Sequence, residues 1–129
     1  MSGTDSARSV DGSTAAAISK LVVRLVSEYT GRGPTRARTY LNENLITVVL
    51  QDSLTQGERS LLQDGRHDLV LAVRHAFQEA MRADLITGVE ELTKRTVSVF
   101  LSANHTDPDI AVETFMLVPD GAGPSSGVR

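Results

Sequence analysis

Apolar residues recur along this chain with two different periods, and each change of period marks an element. From an N-cap at Ser13 or Thr14, Ile18, Leu21, Val22, Leu25, Val26 and Tyr29 keep a 3.6-residue spacing, which predicts a helix with one buried stripe. Gly31 suits its C-cap and Pro34 forbids its continuation. Residues 36–41 then alternate, with Ala37, Thr39 and Leu41 opposite Arg36, Arg38 and Tyr40, and residues 45–50 are almost all β-branched or aliphatic. Between these strands, Asn42-Glu43-Asn44 has hairpin-turn chemistry, because Asn tolerates positive φ.

Thr55-Gln56-Gly57-Glu58 reads as a capping box that opens a short helix, ending near residue 63 before Gly65. The longest helical signal follows. Leu69, Val70, Val73, Phe77, Ala80, Met81, Leu85, Val89 and Leu92 hold one face, and Arg74, His75, Gln78, Glu79 and Arg82 fall on the other. Gly88 within it costs about 1 kcal/mol relative to Ala, which points to a kink or a close helix approach. Two strands close the pattern. Residues 96–103 alternate Val97, Val99, Leu101 and Ala103 with Thr96, Ser98, Phe100 and Ser102. Residues 110–118 alternate Ile110, Val112, Thr114, Met116 and Val118 with Ala111, Glu113, Phe115 and Leu117.

The order α-β-β-α-α-β-β predicts an α+β fold: a four-stranded antiparallel sheet of two hairpins with a long helix packed on one face. The second strand is apolar on both faces and the last carries one charge, Glu113. A sheet covered on one side only alternates more cleanly than that. The second face therefore calls for another helix or a second copy, and a homodimer is the expectation. Residues 1–13 and 119–129, rich in Gly, Ser, Asp and Pro, read as disordered ends around one domain over 14–118.

Composition narrows the chemistry. The chain has 129 residues, no Cys, 4% aromatics and a net charge of −3. Absent thiols exclude disulfides, thiolate catalysis and Cys-based metal sites and suit a reducing cytoplasm. The acidic balance and scarce aromatics speak against nucleic acid as a partner. The uncharged runs at 44–51 and 96–104 fall far short of the roughly 20 residues that cross a bilayer, so no direct membrane insertion is expected.

Two stretches, Gly31-Arg32-Gly33-Pro34-Thr35-Arg36-Ala37-Arg38-Thr39-Tyr40 and Asn104-His105-Thr106-Asp107-Pro108-Asp109-Ile110-Ala111-Val112-Glu113, resemble the signatures of the MpsC-like family. Leu54-Thr55-Gln56-Gly57-Glu58-Arg59, Phe77-Gln78-Glu79-Ala80-Met81-Arg82 and Gly88-Val89-Glu90-Glu91-Leu92-Thr93 extend the resemblance over about residues 16–118. The family comprises small soluble bacterial and archaeal domains of undefined biochemistry, named for a sodium-translocating, membrane-potential-generating system. The resemblance implies a soluble accessory or regulatory component rather than the translocating machine, and it carries over no catalytic residue.

Two clusters are candidate ligand sites. Arg32, Gly33, Arg36 and Arg38 follow a helix end, where guanidinium forks and open backbone suit a small anion. Asn104, His105, Asp107 and Asp109 offer an imidazole and carboxylates, suited to a general base or a divalent-metal sensor. Turn chemistry accounts for the same loop residues, and helix capping for the glycines. His75 and Glu79, spaced i, i+4, suit a solvated pair. No nucleophile elbow or phosphate loop is present, and the residues imply no catalytic set, cofactor or metal centre. The leading expectation is a cytoplasmic, non-enzymatic interaction module with a protein partner in a membrane-linked ion or inorganic-carbon transport system. The alternative is a small-anion binder or enzyme using Arg32, Arg36 and Arg38 with His105 and Asp107.

Overall fold

The computed structural model describes residues 10–119. Helix α1 (Gly12–Thr30) leads into β1 (Arg36–Asn42) and β2 (Leu45–Gln51); α2 (Gln56–Gln63) and α3 (His67–Thr93) follow, then β3 (Val97–His105) and β4 (Ile110–Leu117). This is the α+β order the periodicity predicts. Of the expected disordered ends, residues 1–9 and 120–129 lie outside the described residues. Helix α1 starts earlier than its apolar stripe suggests. Its N-cap is Asp11, not Ser13 or Thr14, and the Asp11 carboxylate accepts from the Thr14 amide and the Ser13 hydroxyl, both at 2.9 Å.

The strands form one antiparallel sheet in the order β1-β2-β4-β3. The second strands of the two hairpins thus meet at its centre. The first hairpin turn is tighter than expected: Asn42 still belongs to β1, and Glu43, not an Asn, takes the left-handed φ of 55°. The capping box forms as predicted, with the Glu58 amide donating to Thr55 Oγ1 at 3.1 Å and the Thr55 amide to Glu58 Oε1 at 2.8 Å.

Both long helices cover one face of the sheet. Ile18, Val22, Leu25 and Val26 of α1 and Met81, Leu85 and Val89 of α3 meet Ile46, Val48, Leu50, Phe100, Ala111, Phe115 and Leu117. The helices touch closely at Gly88, where a Cβ would stand 2.5 Å from Leu21 Cδ2, so the residue serves a close approach. Tyr29 of α1 donates to Asp84 of α3 at 2.7 Å. The buried face of α3 differs from the predicted stripe: Val70, Gln78, Met81, Leu85, Val89 and Thr93 are buried, and Leu69 and Leu92 are exposed.

A bulge between Val97 and Val99 resets the pleat of β3. Beyond it, Phe100, Ser102 and Asn104 share the core side with their β4 partners Phe115, Glu113 and Ala111. Leu101 and Ala103 are thereby turned outward, although the alternation groups them with the buried Val97.

Candidate functional site

The two sequence-singled segments meet at one end of the sheet, bridged by Asp52, which the sequence reading did not single out. Helix α1 stops because Gly31 takes φ 83° and sends its amide to Ser27 O at 2.9 Å. The chain then turns so that Arg32 reaches the end of β2. Arg32 Nη2 lies 3.1 Å from Asp52 Oδ2, and its Nη1 donates to the Asp52 carbonyl. Arg59 of α2 binds the other carboxylate oxygen of Asp52. The Arg32 guanidinium holds the Asp52 carboxyl below the usual carboxylate range, with Thr35 and Arg59 acting in the same direction against desolvation.

The loop after β3 docks onto the same residue. The Asp52 amide donates to the Asp109 carbonyl at 3.1 Å, and Asp109 Oδ2 accepts the Leu54 amide at 3.0 Å. His105 closes its own turn, with Nδ1 2.9 Å from the Pro108 carbonyl; a carbonyl only accepts, so Nδ1 carries the proton there. Thr106 meets His67 Nε2 at 3.0 Å. An open groove of about 580 Å³ results, lined by Asp52, Leu54, Arg59, Leu62, Thr106, Asp107 and Asp109 among others.

The remaining candidates disperse. Arg36 and Arg38 project from the outer face of β1, and Arg38 lies 5.8 Å from the Tyr40 ring. Arg36 shares a cross-strand row with Gln51, Ile110 and His105. Three strand spacings, roughly 14 Å, therefore separate Arg36 from His105. A Cβ at Gly33 would meet Ser27 and Val23 of α1 at 3.5 Å, an ordinary contact distance. Among the described residues, no three His, Cys, Asp or Glu side chains converge to hold a metal ion.

Asn104 turns inward and joins a buried polar chain that the sequence reading missed. Its Oδ1 accepts from Arg74 Nε and Gln78 Nε2, both at 3.2 Å, and its Nδ2 donates to Gln78 Oε1 at 2.8 Å. Arg74 pairs with Glu58 Oε1 at 3.0 Å and donates to Ser53 Oγ at 2.6 Å. Gln78 donates to Glu113 Oε2 at 3.1 Å, and Ser102 donates to the other Glu113 oxygen. Glu113 is 2% exposed, and burial pushes its carboxyl up to about 7 against the pull of Ser102, Gln78 and Arg74.

The charge count explains that shift. Arg74 is already neutralised by Glu58, so the ionised form of Glu113 gains only two neutral donors and a more distant charge. A void of about 20 Å³ beside Arg74, Gln78 and Glu113 has room for one water. A faint signal for this chain existed. Arg74 and Gln78 fall in step with Met81, Leu85 and Val89 on the helix, and Glu113 has the parity of Ala111, Phe115 and Leu117 on the strand. The chemistry of this end comprises a saturated Arg–Asp–Arg bridge, an open acidic groove, and a buried carboxyl that titrates near neutrality.

Residues 11–118 match the model of the MpsC family, described as a Na+-translocating membrane potential-generating system. No curated protein and no solved structure matches the chain.

Proposed function

The chain belongs to the MpsC family, and from that premise we propose that it is a non-enzymatic accessory module that serves such a system by protein contact. The observation that carries this reading is the outer face of the sheet. Leu101, Tyr40 and Met116 stand 61%, 53% and 45% exposed there, flanked by half-buried Leu45, Val49 and Val112. Within the paired strands no acidic side chain stands on that face. Among the described residues, no helix is long and apolar enough to cross a membrane.

The first occupant of this face is a second copy. Its rows run Asn42–Leu45–Met116–Val99, Tyr40–Thr47–Thr114–Leu101 and Arg38–Val49–Val112–Ala103. A two-fold axis along the strands lays β1 over β3 of the partner and β2 over its β4. Tyr40 then meets the partner's Leu101, Val49 meets the partner's Val112 and Leu45 meets the partner's Met116. The Arg residues stay at opposite rims, apart from one another. The face measures about 20 by 23 Å, so stacking buries on the order of 1,000 Å² in all, the low end of specific interfaces. The dimer should therefore dissociate in the micromolar range. We place the module in the cytoplasm, where a Cys-free chain loses nothing to a reducing environment.

Sedimentation velocity over a hundredfold concentration range tests the pairing. Wild type should shift from monomer to dimer, and Leu101→Lys should remain monomeric with unchanged circular dichroism. A wild type that is monomeric throughout sinks the stacked dimer. The accessory role is tested in sealed vesicles with a voltage-sensitive dye. The protein should alter a Na+-dependent potential only when the membrane subunits are also present. A potential generated by this chain alone overturns the reading.

A further inference from the structure

Among the described residues, strand β1 is an edge of the sheet, hydrogen-bonded on one side only. It pairs with β2 through seven consecutive residues without a bulge. Alternate N–H and C=O groups on its free side therefore face outward in strand geometry, ready to template another strand. The opposite edge is less suited, because the Val97/Val99 bulge interrupts β3.

A groove runs beside this open edge on the core side of the sheet. It has a volume of about 410 Å³ and lies between α1 and β1, with Val23, Pro34 and Ala37 as its apolar lining and Lys20 and Arg24 at its rim. Among the described residues, no carboxylate lines it. On the other side of the same edge stand Arg36 and Arg38, both exposed. Among the described residues neither makes an ion pair; Arg24 is paired, at 3.4 Å to the exposed Glu28.

We propose that the β1 edge and this groove together accept an extended acidic segment of a protein partner, which adds to the sheet as a fifth strand. The strand's period of two sets the required sequence. One set of alternate side chains enters the groove against Val23, Pro34 and Ala37 and must be small and apolar. The other set lies on the outer face beside Arg36 and Arg38 and must be acidic. Backbone hydrogen bonds supply the affinity, and the two faces supply the selection. An all-polar or basic segment would fail on one face or the other. This inference rests on reading the chain as an interaction module, and it specifies the chemistry of one partner.

The probe is a seven-residue peptide alternating Val and Glu, with two controls: Lys in place of every Glu, and Pro at the central position. Fluorescence anisotropy should show saturable binding of the Val/Glu peptide that weakens with added salt. The Lys control should not bind, and neither should the Pro control, which cannot complete the ladder. Arg36→Ser combined with Arg38→Ser, both at exposed positions, should weaken binding roughly tenfold. Amide exchange should slow at alternate residues of β1 and stay unchanged in β3. Equal binding of the Lys or Pro control, protection outside β1, or no saturable binding of the Val/Glu peptide overturns the proposal. Sedimentation of the same samples without peptide keeps the two readings separable. A dimer that ignores the peptide sinks strand addition alone, and a monomer that binds it sinks only the stacked dimer.

Discussion

Glu113 is the residue at which local pattern and chemistry diverge most. An ordinary strand places such a charge toward water, yet here it shares a core row with Val48, Thr39 and Ser102. Its carboxyl is raised from 4.5 to about 7, so the folded state holds a proton that the unfolded chain releases. Between those values the native state binds more protons than the unfolded state, and stability must fall as pH rises. The loss begins above about 4.5, is complete just above 7, and is on the order of 3 kcal/mol. Asp52 is shifted the other way, so its contribution disappears only in more acidic solution, outside this window. Urea unfolding from pH 5 to 8.5 should show the decline in wild type and a flat profile in Glu113→Gln. A wild-type profile without that slope would mean that Glu113 stays ionised in the folded protein. Arg74 depends on the same arithmetic. Its side chain and that of Glu58 are almost fully buried, and Arg74→Met strands the Glu58 carboxylate without its cation and removes the more distant positive charge near Glu113. A cost of about 3–5 kcal/mol is expected by chemical denaturation, with the Glu113 transition moved further upward. At this scale the apolar core was readable in advance: Ile18, Val22, Met81, Leu85 and Val89 all lie where their spacing puts them. The polar members were not, because a polar residue in step with an apolar stripe looks like an interruption until its partners on another element are known.

Helix α3 and strand β3 show how elements settle what their own sequences leave open. Gly88 permitted either a kink or a close approach, and the nearness of Leu21 on α1 decides for the approach. Gly88→Ala should gain about 1 kcal/mol of helix propensity but crowd Leu21, with a cost of about 1–3 kcal/mol. A net loss is therefore expected in urea unfolding. The two positions should couple: adding Gly88→Ala to Leu21→Ala should be neutral or favourable, since the crowded side chain is gone. Strict additivity of the two changes would show that the contact is not the constraint. Strand β3 was legible as a strand but not in its facing. Its alternation is regular across residues 97–103, and only the bulge, set by pairing to β4, turns Leu101 outward and Phe100 inward. The Phe100 ring then lies 5.0 Å from that of Phe115, a contact that the uninterrupted pattern would have denied it.

For the whole molecule, the consequence is a sheet with one face covered by helices and the other left open, with Leu101, Tyr40 and Met116 exposed on it and Arg36 and Arg38 along one rim. If two copies stack through that face, thermal stability becomes a function of protein concentration, because association favours only the folded state. Wild type should therefore melt higher at 200 µM than at 2 µM, and Leu101→Lys should melt at one temperature across that range. A concentration-independent wild type would count against stacking. Much of the architecture was visible beforehand. The order of elements and the capping box at Thr55 follow from short-range periodicity and turn chemistry, which act within a few residues.

Short-range rules also explain where foresight ended. The chain's own pattern determined that it forms helices and strands in this order, which stripe of α1 is buried, and that thiol chemistry is absent. Tertiary structure alone decided that β2 pairs with β4, that Asp52 ties Arg32 to the loop after β3, and that Glu113 lies among buried neighbours. Each of these depends on contacts between residues 20 or more positions apart. Such contacts depend on how whole elements dock, a free energy summed over many side chains at once, and no local window of sequence contains that sum.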